Sequence, residues 1–231
     1  MTLVITGARK GIGRYLAEYY TAAGHMVFGC SRMESDYHAP NYEHFIADVT
    51  DEKAVARFAS SIRKSQKSID VLINNAGAAS MNHFLLTPGS TAKNLMELNY
   101  IGAFNCSRAF INLLRKSEQP RIVNFTSVAV PLSLAGEIAY VASKGALEAF
   151  TKVLARDLAN FRITVNAIGP TPIETDLIKN VPEEKLEELI KQQIVKRTGR
   201  FSDVSNLLDF FISPNSDFIT GQIVYLGGVL A

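Results

Sequence analysis

Tyr140 and Lys144 stand four residues apart in Ala139-Tyr-Val-Ala-Ser-Lys-Gly145, downstream of Ser127. Residues at i and i+4 share one face of a helix a single turn apart, so this spacing sets an ammonium beside a phenol. Free tyrosine has a pKa of about 10, too high for efficient acid/base work near neutrality. A positive charge about 5 Å away at an effective dielectric of about 20 contributes roughly 3 kcal/mol, or about two pKa units, which brings the phenol toward the useful range. The pair is a candidate proton-transfer device, with Lys144 expected to lower the pKa of Tyr140. Taken alone, the same two residues also describe a half-buried helix aromatic and a solvated charge, so other elements must position them.

The chain opens with one such element. Thr2-Leu-Val-Ile-Thr6 is a short β-branched run, followed by Gly7-Ala-Arg-Lys-Gly11-Ile-Gly13 and then by helical apolar spacing through Tyr20. A strand, a glycine turn and a helix in that order allow backbone to approach a pyrophosphate, whose charge the free amides and positive dipole end of the helix stabilise. The spacing is Gly-x-x-x-Gly-x-Gly, and Arg14 stands after Gly13 where a nucleoside-triphosphate loop needs Lys.

Further strand-like runs fall at Met26–Phe28, Phe45–Ile46, Val71–Ile73, Ile122–Phe125, Ile163–Val165 and Ile223–Tyr225, with helical patterns in most of the intervening stretches. This alternation predicts an α/β fold, a doubly wound parallel sheet of Rossmann type with helices on both faces. Ligands in such sheets bind beyond the carboxyl ends of the strands. Gly7, Asn74 to Gly77, Ser127 and Gly169-Pro170-Thr171 each follow a strand, so four segments converge on one edge.

The end of the second strand bears on cofactor choice. An acid there would bind the free ribose hydroxyls of NAD, but the chain reads Gly29-Cys-Ser-Arg32. Arg32 can clamp a 2′-phosphate, Ser31 can donate to it, and Arg9 or Lys10 can add charge, so NADP(H) is expected over NAD(H). In the alternative, Arg32 and Arg9 are solvated and Glu34 is the ribose ligand.

Thr6-Gly-x-x-x-Gly-Ile-Gly13, Asn74-Asn-Ala-Gly77, Asn99, Ser127, Tyr140-x-x-x-Lys144 and Pro170 with Ile173-x-Thr175 together resemble the short-chain dehydrogenase/reductase family in its single-domain branch, from Thr2 to about Gly228. The resemblance implies an oxidoreductase that reduces a ketone to a secondary alcohol. Tyr140 would be the general acid, Ser127 would donate to the carbonyl oxygen as charge develops, and Lys144 would hold the nicotinamide ribose. Asn99 would keep a water chain to that lysine through its backbone. Gly7, Gly11, Ile12 and Gly13 would cradle the pyrophosphate. Asp48, with Val49 beside it, would contact adenine, although Asp48 also reads as a helix N-terminal acid. Asn75, Ala76 and Gly77 would pack beside the cofactor, while Pro170, Thr171, Ile173 and Thr175 would anchor its carboxamide end.

Composition sets the bounds. At 231 residues, 47% apolar and 20% charged, the chain suits one domain over 1–231, with a substrate lid expected at 171–200. A net charge of +2 gives no dominant basic field, so neither nucleic acid nor a membrane surface is expected as partner. Cys30 and Cys106 read as buried free thiols. With the strand-first start and the lack of a spanning apolar run, they point to a cytoplasmic protein. His25, His38, His44 and His83 show no metal-ligand spacing, and no metal is expected.

Many sequences of this appearance are 3-oxoacyl thioester reductases, so the substrate is expected to be a small carbonyl compound or an acyl thioester carried by an acyl carrier protein. Walls are expected at Ala78–Pro88 and Val128–Glu137, the second mostly apolar, and Arg115, Lys116, Arg121, Arg156 and Arg162 could form a basic rim for the carrier. A homotetramer or homodimer is expected by resemblance. Two residues depart from the family pattern: Thr171 replaces a glycine after Pro170, and Leu226 replaces an acid before Gly227-Gly228. The rival readings are an NAD-dependent alcohol or diol dehydrogenase and a non-catalytic dinucleotide-sensing protein.

Overall fold

Every β-branched run read from the sequence forms a strand. β1 (Thr2–Thr6), β2 (Met26–Ser31), β3 (Tyr42–Ile46), β4 (Val71–Asn74), β5 (Arg121–Phe125), β6 (Thr164–Gly169) and β7 (Ile223–Tyr225) pair in parallel in the order β3-β2-β1-β4-β5-β6-β7. The computed structural model describes residues 1–175 and 181–229, so part of the lid expected at 171–200, residues 176–180, lies outside the described residues. β1 pairs with β2 through Thr2 and Met26 and with β4 through Leu3 and Val71, so the sheet grows outward in both directions from β1. The crevice at this reversal is where such sheets bind ligands.

Among the described residues, eight α-helices cover the sheet: α1 (Gly11–Ala22), α2 (Glu52–Ser65), α3 (Gly89–Met96), α4 (Gly102–Leu114), α5 (Ala129–Leu132), α6 (Ile138–Asp157), α7 (Glu183–Gln192) and α8 (Phe201–Ile212). Successive strand side chains point to opposite faces, and this divides the core in two. Val4, Phe28 and Leu72 pack with Phe58 of α2, Phe110 of α4 and Ala155 of α6. Leu3, Ile5 and Val71 pack on the other face with Leu16 of α1 and Leu208 of α8. Each fully buried Leu, Ile or Phe contributes about 1.5–3 kcal/mol, so both helical layers are held mainly by these stripes.

A buried polar ladder sets the height of α6 on the sheet. Asn74 Nδ2 on β4 donates to Asn124 Oδ1 on β5 at 2.9 Å, and Asn124 Nδ2 donates to Thr151 Oγ1 on α6 at 2.8 Å. Such groups cost free energy when left unpaired in a core, so the ladder disfavours any slip of α6 along β5. At the outer side of the sheet, Gly169 leaves room for the Tyr225 ring. A Cβ there would stand 2.3 Å from Tyr225 Cδ1 and 3.3 Å from Thr126 Cγ2. Gly169→Ala is therefore expected to cost about 2 kcal/mol through overpacking and to lower Tm by about 4–8 °C in a thermal melt; an unchanged Tm contradicts this packing.

Candidate active site

The glycine turn brings β1, α1 and β4 together. Gly7 has φ +69°, and a Cβ on it would lie 2.9 Å from Ala76 Cα, so glycine meets both the conformation and the close approach here. A Cβ on Gly13 would stand 2.3 Å from the Gly7 carbonyl oxygen and 2.4 Å from Asn75 Nδ2. Thr6 Oγ1 accepts from the amides of Asn75 at 3.0 Å and Ala76 at 2.9 Å, and Asn75 Nδ2 donates to Thr6 O at 2.9 Å. α1 has no side-chain cap and no acid in its first turn, whereas Asp51 caps α2 by accepting from the Lys53 and Ala54 amides at 2.9 and 3.1 Å. The start of α1 therefore keeps its positive dipole end open to an anion.

One cavity of about 830 Å³ runs along the carboxyl edge of the sheet. Its walls include Gly7, Arg9, Lys10, Gly11, Ile12, Ser31, Arg32, Asp48, Val49, Asn75, Ala76, Gly77, Ser127, Tyr140, Lys144, Pro170, Thr171, Ile173 and Thr175. Two residues expected in the site lie behind the wall instead. Gly13 is buried where α1 meets the turn, and it acts by letting the two pack closely. Asn99 is 1% exposed in a π-helical turn, Glu97–Ile101, that joins α3 to α4. Its side chain donates to Ala78 O and Ser143 Oγ, both at 2.9 Å, and accepts from the Ala78 amide at 2.9 Å, so it pins the cavity wall to α6.

The basic rim expected from Arg115, Lys116, Arg121, Arg156 and Arg162 does not form at this cavity. α4 and α6 run back against the strand direction, so Arg115, Lys116, Arg156 and Arg162 end at the amino edge of the sheet, opposite the cavity. Arg121 is 2% exposed in β5, with its guanidinium donating to Pro120 O at 3.2 Å and Ser213 O at 3.3 Å.

At the adenosine end, Arg9 and Arg32 make no ion pair with another described residue, and Glu34 is absent from the cavity lining. Ser31 Oγ donates to Met33 O at 2.5 Å and lies 3.0 Å from His44 Nε2, so its hydroxyl is already engaged rather than free for a phosphate. Asp48 Oδ1 accepts from the Thr50 amide at 2.9 Å and Thr50 Oγ1 at 2.8 Å. That bonding holds the turn before α2, while the cap itself is Asp51. Thr171, 5% exposed at the far end of the cavity, has a buried hydroxyl without a hydrogen-bond partner. Open amides, two unpaired guanidiniums and an orphaned hydroxyl fit an elongated, anionic, partly polar ligand such as a dinucleotide.

Phe125, Thr126 and Ser127 meet three successive turns of α6. Ser127 lies beside the Tyr140 phenol and acts to lower its pKa, Lys144 Nζ donates to Phe125 O at 2.6 Å, and Thr126 Oγ1 donates to Glu148 Oε1 at 2.6 Å. Tyr225 on β7 reaches the same Glu148 oxygen at 2.8 Å. Glu148 continues the i+4 spacing of Tyr140 and Lys144, a signal in the sequence that was missed; Tyr225 gives no such signal. Glu137, half-buried at the end of the expected wall, and Lys185 of α7, in the expected lid, both line the cavity, and Lys185 Nζ lies 3.4 Å from Met81 Sδ.

The electrostatics differ from the expectation for Lys144. Burial pushes the Tyr140 phenol up to about 12; the Ser127 hydroxyl opposes the rise and Glu137 adds to it. The Lys144 ammonium stands 5.9 Å from the ring centroid, over its face, and turns its protons to the Phe125 carbonyl. Desolvation therefore outweighs the charge effect on the phenol. Burial also lowers Lys144 from the ordinary 10.5 to about 8, with Glu148 opposing. A lysine depressed in the fold penalises folding fully below about pH 8, and the penalty fades as pH rises toward 10.5. Between pH 7 and 9.5, wild type should gain about 3–6 °C in Tm over Lys144→Met. A Tm difference that stays constant across that range contradicts the burial penalty.

Comparison with known proteins shows what shares this arrangement. Residues 7–228 match the family model described as "Enoyl-(Acyl carrier protein) reductase". The chain belongs to the short-chain dehydrogenase/reductase family. It is 30% identical to the 3-oxoacyl-[acyl-carrier-protein] reductase FabG of Escherichia coli, over 97% of this chain and 95% of that one. The ligand-free aldohexose dehydrogenase of Thermoplasma acidophilum superposes with a TM-score of 0.89 at 30% identity, covering 99% of this chain and 93% of the other. RhlG of Pseudomonas aeruginosa, solved as an NADP active-site complex, gives a TM-score of 0.88 at 26% identity, covering 98% and 94%. This short-chain dehydrogenase/reductase is thus an oxidoreductase that works with a nicotinamide dinucleotide.

Proposed function

We propose that the protein is an NADP(H)-dependent carbonyl reductase that converts a ketone, in the first instance a 3-oxoacyl thioester, to a secondary alcohol. The observation that carries this reading is the convergence of Ser127, Tyr140 and Lys144 on one cavity whose other end presents Arg9 and Arg32 and no carboxylate from the end of β2. The cofactor, when bound, supplies the hydride. Ser127 and Tyr140 then hold the carbonyl oxygen, and the phenol gives it a proton as charge develops. A phenol raised by burial stays protonated at neutral pH, which suits the acid role in reduction. Lys144 faces the ribose side and Asn99 positions the wall. Arg9, Arg32 and the open end of α1 would receive the phosphates, while Thr171 and Thr175, also on the cavity wall, would hold the carboxamide.

Met81, Leu132, Leu134, Leu186 and Leu189 wall the substrate half, which favours a ketone with a hydrocarbon part. The thioester, with an acyl carrier protein as its bearer, draws support from the E. coli relative's name. α7 is the helix within the described part of the lid. Phe104, Val153 and Phe161 are exposed on or beside α4 and α6 and favour a homodimer or homotetramer. Two buried free thiols suit a reducing, cytoplasmic setting.

Reduction of an acetoacetyl thioester, followed through cofactor absorbance with NADPH or NADH, tests the reading. Turnover should prefer NADPH, and Arg32→Ala should cut that preference at least about tenfold, as loss of a charge-assisted phosphate contact worth about 1.5 kcal/mol requires. Equal use of both cofactors, unaffected by Arg32→Ala, would remove the NADP(H) assignment.

A further inference from the structure

The groups assigned to the reaction leave one buried acid unused. Glu148 is 8% exposed, one helical turn beyond Lys144 on the same face of α6. Its Oε1 accepts hydrogen bonds from Thr126 and Tyr225, at 2.6 and 2.8 Å, so β5 and β7 both fix it. Both donors are neutral hydroxyls, so neither supplies a compensating charge. Gly169 is shaped to admit the Tyr225 ring that makes this contact, since any side chain there would collide with it.

Lys144 has the complementary problem. Its ammonium is 5% exposed, and its one hydrogen bond goes to the uncharged Phe125 carbonyl. The other groups around it are the Tyr140 ring on its own helix and, across the cavity wall, uncharged Gly77 and Asn99. Among the described residues, Glu148 is the one charged group that raises the lysine's affinity for its proton. The two do not touch as an ion pair, so their interaction acts through one turn of low-dielectric helix.

We propose that Glu148 is the buried counter-charge that keeps the Lys144 side chain an ammonium against the Phe125 carbonyl, and so is a positioning residue for the Tyr140 and Lys144 pair. The catalytic consequence rests on the function proposed above. The charge pairing itself does not. In this arrangement Tyr225 is an anchor for the acid, and its place on β7 couples the outer strand of the sheet to the proton-transfer face.

The test is a carbon-13 NMR titration of Lys144 Cε in lysine-labelled protein without added cofactor, assigned by Lys144→Met, beside the pH dependence of kcat/KM. Glu148→Gln should lower the Lys144 titration midpoint by about one unit, a tenfold loss of proton affinity, and move the alkaline limb of kcat/KM by the same amount. An unmoved midpoint in folded Glu148→Gln overturns the proposal. Tyr225→Phe removes a donor but keeps the charge. It should lower Tm while leaving the midpoint within about 0.3 unit, and a shift there as large as a full unit would show that the lysine follows packing rather than charge. Tyr225→Phe also serves if Glu148→Gln does not fold. A shifted midpoint in a protein without turnover keeps this inference and removes the catalytic reading. Turnover with an unmoved midpoint does the reverse.

Discussion

The packing of α6 on the carboxyl end of β5 is the constraint on which the site depends. A strand advances about 3.3 Å per residue and a helix about 5.4 Å per turn, so a slip of α6 by one turn would carry it past roughly one to two strand residues and break the contacts made at this end. Ser127 meets Tyr140, the Phe125 carbonyl meets Lys144, and Thr126 meets Glu148. The Asn74, Asn124 and Thr151 ladder fixes that register from within the core. Stability and chemistry thus draw on the same contact, because a slip of one turn would orphan the ladder and misalign every reacting group.

Burial gives this face its character. Tyr140 and Lys144 are both removed from water, and each is pushed toward its neutral form. For the phenol this keeps the proton in place at neutral pH, as the proposed acid role requires. For the lysine it is a cost, opposed by the carboxylate one turn further on. The opposite end of the cavity works differently: Arg9 and Arg32 make no ion pair among the described residues, and the start of α1 has no acid in its first turn. One end is dry and tightly bonded, the other open and positive, as an elongated anionic cofactor with a reactive ring at one end requires.

Much of this was legible in the residues themselves. Each strand among the described residues showed as a strand-like run, because local propensity and burial agree along the central strands of a parallel sheet. The convergence of four strand-end segments on one cavity followed from topology alone. What failed to show were properties of solvent and angle. The distance between Tyr140 and Lys144 was readable from their spacing, but the depth of burial that outweighs their attraction was not. Arg121 looked like a surface charge until β5 placed it in the core. Gly13 and Asn99 were found as important residues and misplaced by one layer, since a motif records which positions matter and not whether they touch the ligand. Tyr225 meets Glu148 across a sequence distance that no local pattern spans.

The central claim is that Tyr140 acts on the reacting oxygen and not on cofactor capture. The most direct measurement is steady-state turnover with a reducible ketone together with NADPH affinity by fluorescence titration, on wild type and Tyr140→Phe side by side. Loss of a group that acts only in the transition state should lower turnover at least about tenfold and leave NADPH affinity within about twofold. Equal turnover in the two proteins, or turnover that falls only in step with NADPH affinity, would contradict the account.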